Sequence, residues 1–179
     1  MFYLDSSEEY YETYLDFSNL FPFKKNELLS IYTLFKELKI HMTQPIQIYW
    51  GIFLEVLTNE FLKLVFDEKD IKREIEIIID NFKTNPIDFV VKVNNTYKCY
   101  ECKFSSNTLK KNQTNHLLWL KNKTKNIIPH LVIFEPKQDI IHKIENNTGL
   151  KHLVNEKNLG KIRYITIEDF SRNNPFKNS

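Results

Sequence analysis

Glycine is scarce in this chain, with three in 179 residues. Neither G-x-G-x-x-G nor G-x-x-x-x-G-K-[ST] occurs, so a glycine-rich phosphate loop of either kind is not expected. There is no run of 18 apolar residues, so no membrane span is expected. The start, Met1 to Glu12, is acidic and aromatic and lacks the basic, then apolar, build of a signal peptide. Cysteine is also rare, with two residues. Without an export signal they point to a reducing, cytoplasmic setting. Cys99 and Cys102 form a C-x-x-C, but residues three apart on a strand face opposite ways, and no second pair exists to complete a zinc site. They read as small buried apolar residues. A net charge of +2 neither demands nor excludes nucleic acid, because local patches outweigh the total.

Apolar residues, by contrast, make up 42% of the chain, enough for one domain with a genuine core and a small appendage. Residues 1–47 read as a helical extension: Ser6-x-x-Glu9 has capping-box spacing, and residues 26–39 carry apolar side chains at helical intervals. Residues 48–66 are apolar on most sides and predict a largely buried helix. Strands are expected over 73–79, 87–93 and 96–104, then a helix over 108–122 and a strand over 130–135. One or two short helices within 138–157 and a last strand over 162–167 complete the pattern. That order predicts an α/β domain, residues 48–179, with a mixed central sheet flanked by helices.

Asn94-Asn95 suits a two-residue hairpin turn. With these as the loop, Val93 faces Thr96, Lys92 faces Tyr97, Val90 faces Cys99, and Asp88 faces Glu101. The two carboxylates are then cross-strand neighbours, and Lys103 projects from the same face. Opposed like charges destabilise a sheet, and a hard divalent cation such as Mg²⁺ would offset that cost. Lys103 beside it can position an attacking water or stabilise charge on a phosphate. An exposed strand pair in which Lys103 compensates two surface acids is the competing account, but the strongly apolar frames Ile87–Val91 and Tyr100–Phe104 favour function. On the helical wheel of 48–66, Glu55 lies between Leu62 and Phe66 and turns toward protein, whereas Glu60 shares an arc with Lys63 and Asp67 and faces water. Glu55 suits a metal or its water, and equally a helix-border Glu satisfied by lysine or backbone.

The pattern of helix-borne Glu55, Pro86-Ile87-Asp88 and Glu101-Cys102-Lys103 resembles the PD-(D/E)XK nuclease superfamily over roughly residues 48–135, element order included. The resemblance implies a restriction-endonuclease-like αβββαβ core and hydrolysis of phosphodiesters by metal-activated water, leaving a 5′-phosphate. It implies Asp88 and Glu101 as ligands of Mg²⁺ or Mn²⁺, the Cys102 carbonyl as a further ligand, Lys103 as catalytic lysine, and Glu55 as the first-helix acid, bound directly or through water. Gln113 resembles an accessory polar residue of several branches, and also reads as an ordinary surface glutamine. Ile87 interrupts the Pro-Asp dipeptide, a common departure. Glu76 and Asp80 are fallback acids for a different register.

Lys110, Lys111, Lys121, Lys123 and Lys125, with interleaved asparagines, suit phosphate contacts and equally a solvated face. Trp119 and Tyr97 read as packing residues, and His116 and His130 as structural. The leading expectation is an Mg²⁺-dependent endonuclease on DNA, in defence, mobile-element or repair processes. The alternatives are a non-catalytic module of the same fold, binding nucleic acid or protein, and an RNA- or structure-specific nuclease. Double-strand cutting would call for two sites, hence a homodimer.

Overall fold

The computed structural model describes residues 46–153, 158, 160–172 and 174–177, with isolated helical positions between Tyr11 and Glu37. The expected capping box at Ser6 and most of the expected helix over 26–39 lie outside the described residues. The chain divides into two compact units, Met1–Tyr49 and Trp50–Ser179. Among the described residues no helix is long and apolar enough to cross a membrane.

The second unit is α/β. Helix α1 (Ile46–Lys63), which belongs to this unit from Trp50 onward, leads to β1 (Ile71–Ile75), a small hairpin of β2 (Ile78–Ile79) and β3 (Phe82–Lys83), then β4 (Ile87–Val93) and β5 (Thr96–Lys103). Helix α2 (Lys111–Lys123), β6 (Ile127–Ile133), α3 (Lys137–Asn146), β7 (Arg163–Ile165) and α4 (Ile167–Arg172) follow. Five strands form one mixed sheet in the order β1-β4-β5-β6-β7. β4 is antiparallel to β1 and β5, while β5, β6 and β7 run parallel.

Alternation along the strands sorts side chains between two faces. Phe89, Val91, Tyr100, Cys102 and Val132 pack with Leu54 and Leu62 of α1. Leu131 and Ile133 pack with Leu117 and Leu118 of α2 and Ile140 and Ile144 of α3, and Val90 and Cys99 pack with Leu120. Helices therefore cover both faces. Cys99 and Cys102 fall in different clusters and are free thiols, as their three-residue spacing predicts.

Several boundaries differ from the sequence reading. The expected strand over 73–79 is broken: β1 ends at Ile75, and Glu74 within it takes a positive φ of 54°. The expected strand over 130–135 begins earlier, at Ile127, despite Pro129. Proline is tolerated because β7 pairs with β6 only from His130 onward, so β6 is an edge on that side at Pro129. The helix expected from 108 starts at Lys111 because Ser105 first caps a 3-10 turn, Ser106–Thr108, through its Oγ and the Asn107 N–H. The last strand stops at Ile165 because the Thr166 N–H and Oγ donate to Asp169 Oδ2 at the start of α4.

The hairpin turn falls where the asparagines predict, and only the first takes a left-handed φ, Asn94 at 54°. Turns with φ > 0 at the first central residue favour glycine there. Asn94→Gly should therefore stabilise the protein by about 0.5 kcal/mol, and Asn95→Gly should not. Paired urea denaturation curves check this, and a midpoint lowered by Asn94→Gly contradicts it.

Candidate metal and phosphodiester site

The β4/β5 register runs from Val93↔Thr96 to Phe89↔Tyr100, as expected. The paired ladder stops one step short of Asp88 and Glu101. There the Asp88 carboxylate replaces a main-chain acceptor: its Oδ2 accepts the Cys102 N–H at 2.6 Å. Lys103 reaches back over the same residue, donating to the Cys102 carbonyl at 2.9 Å and pairing with Glu101 Oε1 at 2.7 Å. The thiol of Cys102 lies 3.6 Å from Thr58 Oγ on α1, so every polar atom of Cys102 is engaged. Main-chain geometry at Cys102 is thereby fixed from four sides, by Asp88, Lys103, the sheet and the helix.

Burial strains these charges. It raises the Asp88 carboxyl above its ordinary value, against the lowering effects of the Cys102 N–H and Lys103. It raises Glu101 likewise, with Lys103 opposing and Asp88 and Glu55 adding to the rise. Glu55 on α1 is half-buried and also raised, first by burial and then by Asp88, while Arg73 at 3.6 Å opposes. Burial would lower the Lys103 ammonium, but the Glu101 carboxylate beside it outweighs this, and the net direction is up. Three acids thus share one neighbourhood in which each ionises reluctantly. Glu60, by contrast, is exposed and paired with Lys63.

Glu101 also lines a cleft of about 70 Å³ together with Asn85, Pro86, Ile87, Gln113, His116 and Leu117. Gln113 is therefore beside Glu101, although its Oε1 also accepts the Lys110 N–H at 3.2 Å and so caps α2. His116, read from sequence as structural, lines the same cleft and meets the edge of Phe82. Three further residues escaped the sequence reading. Arg73 pairs with Glu55 and lies over the Phe89 ring. Glu74 bears electrostatically on both Asp88 and Glu55. Asn85 stands in the cleft wall. The signal for Glu74 is the β1/β4 register, in which Arg73 pairs with Phe89 and Ile75 with Ile87, setting Glu74 opposite Asp88. The fallback acids Glu76 and Asp80 are exposed and pair with Lys83 and Lys123.

The five lysines divide. Lys110 and Lys111 are exposed at the start of α2, the end that carries Gln113. Lys121, Lys123 and Lys125 belong to the other end, where the chain enters β6 beside Tyr97. Tyr97 is six residues back from Lys103 along β5, roughly 20 Å at strand rise. Lys121 donates to the Ile127 carbonyl and Lys123 to Asp80, so both are already engaged. Trp119 packs on Phe82.

No family model matches the sequence, and no curated protein matches it. Among the described residues, no three His, Cys, Asp or Glu side chains come together as a metal-binding group.

Proposed function

We propose that this chain is a metal-dependent endonuclease of the PD-(D/E)XK type, hydrolysing phosphodiester bonds of DNA. The observation that carries this reading is the meeting of the Asp88 and Glu101 carboxylates, the Cys102 carbonyl and the Lys103 ammonium at the open end of one hairpin. The element order supports it: a helix, three sheet strands, a helix and a strand in sequence, with the β2/β3 hairpin inserted after the first strand, accords with the αβββαβ core that the resemblance implies.

The donor set suits Mg²⁺ or Mn²⁺. The oxygens of Asp88, Glu101 and Cys102 are hard ligands, and two of the three already accommodate a cation, since the Lys103 ammonium spans Glu101 and the Cys102 carbonyl. Glu55 would act through water. When bound, the ion supplies Lewis-acid chemistry and a water of lowered pKa. The residues of the chain do the rest. The Cys102 N–H orients Asp88. Lys103, mostly buried, offers a fixed positive charge to a phosphate oxygen. Gln113 and His116 give the cleft hydrogen-bonding walls beside Glu101. Lys110 and Lys111 are the lysines suited to the flanking phosphates.

The test is to incubate the protein with plasmid, linear duplex, single strands and RNA in Mg²⁺, Mn²⁺ or EDTA. The expected result is metal-dependent cutting of DNA to 5′-phosphate ends, abolished by EDTA. Cutting that persists in EDTA sinks the mechanism. Binding without cutting of any substrate would favour the non-catalytic module.

A further inference from the structure

Glu135 lies just past the end of β6 and is 4% exposed, a buried carboxylate that the chemistry above does not use. Its partners come mainly from one place. Ser105 Oγ donates to Oε1 at 2.6 Å, and the Ser106 N–H and Oγ both donate to Oε2, the N–H at 3.0 Å. Lys143 of α3 closes the set at 3.3 Å. The β5/β6 register explains the meeting: Lys103 pairs with Ile133, so two residues further along each strand Ser105 comes opposite Glu135. The two serines are the first residues after Lys103-Phe104. Ser105 also caps the 3-10 turn that delivers the chain to Lys110 and Gln113. The carbonyl of Glu135 in turn accepts the Ile167 N–H at the start of α4.

A buried, charged anchor is a costly way to hold a loop. Apolar replacements of buried ion pairs are often neutral or stabilising, so such a group is better understood through the geometry it enforces. Here that geometry is the step between the lysine of the site and the helix that walls the cleft. We propose that Glu135 is a positioning residue for the reaction, holding the Ser105–Ser106 segment so that the Lys103 ammonium, paired with Glu101, and the Gln113 side chain, which lines the cleft with Glu101, stay at a fixed separation. This rests on the nuclease reading given above.

The experiment measures kcat and KM for metal-dependent DNA cutting by the full chain and by Glu135→Gln, Ser105→Ala, Ser106→Ala and the Glu135→Gln/Ser105→Ala pair, with thermal melting of each. Asp88→Ala serves as the control for the parent reading. Small displacements of reacting groups cost up to about 100-fold in rate, so Glu135→Gln should lower kcat roughly tenfold or more with KM within about twofold. Ser105→Ala should lower kcat in the same direction, and the pair should fall short of the product of the single effects because both variants break one network. If Glu135→Gln does not fold, the two serine variants decide. Folded variants with the parental kcat overturn this inference while an inactive Asp88→Ala leaves the nuclease reading standing. Losses confined to KM, or tracking the melting temperature alone, also overturn it. A parent that cuts nothing, or an Asp88→Ala that still cuts, overturns both.

Discussion

Asp88→Asn should give a protein that is more stable than its parent at neutral pH and inert as a nuclease. The sign follows from the direction of the carboxyl shift. Asp88 is raised above its ordinary value by burial, so the folded state holds its proton more tightly than the unfolded state. A group of this kind favours folding at pH below its unfolded value, and that contribution is lost as pH rises through the folded value. At neutral pH the Asp88 carboxyl therefore weighs against the fold. Asparagine removes the charge, leaves an oxygen for the Cys102 N–H, and relieves Glu55 and Glu101 of a like neighbour. The loss of activity should exceed about 100-fold, the scale on which a charged group aimed at the reacting centre acts. A second readout is independent of cutting. A cation that binds only the folded state stabilises it by about 2.7 kcal/mol at a hundred times its dissociation constant. Mg²⁺ should thus raise the melting temperature of the parent and leave that of Asp88→Asn unmoved. A variant that still cuts, or that melts well below its parent, contradicts the assignment of Asp88.

His130 should make the protein sensitive to mild acid. It is fully buried in β6, stacked on Tyr100 at 4.6 Å, with Nδ1 at 3.0 Å from the Ile128 carbonyl. Burial, reinforced by Arg163 and Lys98, pushes it down from 6.5 to about 3. The folded state keeps it neutral while the unfolded state takes up a proton below pH 6.5, so stability falls as pH drops from 6.5 toward 3. At about 1.4 kcal/mol for each pH unit in that window, the step from pH 6.5 to 4.5 costs roughly 2–3 kcal/mol. The raised carboxyls Asp88, Glu101 and Glu55 act with the opposite sign, because the folded state gains their protons first as pH falls. His130→Phe, which keeps a flat ring against Tyr100, separates the two contributions. Relative to the parent, the denaturant midpoint of the variant should rise as pH falls from 7 to 4.5, because only the parent loses the His130 contribution. Parallel pH profiles would show that His130 is not the acid-sensitive group.

The sequence displayed the parts of this molecule governed by local repeats and hid those governed by pairing at a distance. The β4/β5 hairpin was legible because its turn and alternation lie within some 17 residues, and its register placed Asp88 near Glu101. The wheel of α1 separated half-buried Glu55 from exposed Glu60 for the same reason. Glu74 and Arg73 were illegible because their relation to the site depends on β1 pairing with β4 across the inserted β2/β3 hairpin. Composition alone also could not divide the lysines, since α2 and the residues flanking it carry them to opposite ends of the sheet. His116 looked structural because the cleft it lines is formed by residues from three separate segments of chain.

The burial of both thiols has a practical side. Cys99 is enclosed and pushed up to about 12, and Cys102 is raised well above the ordinary thiol value by the same desolvation. Reagents that need a thiolate find little at either position near neutral pH. A single cysteine introduced at an exposed position such as Asn107, on the turn between the lysine of the site and α2, would then take up a dye or spin label selectively with the native pair left in place. The fold supplies its own silent background for spectroscopy at the cleft.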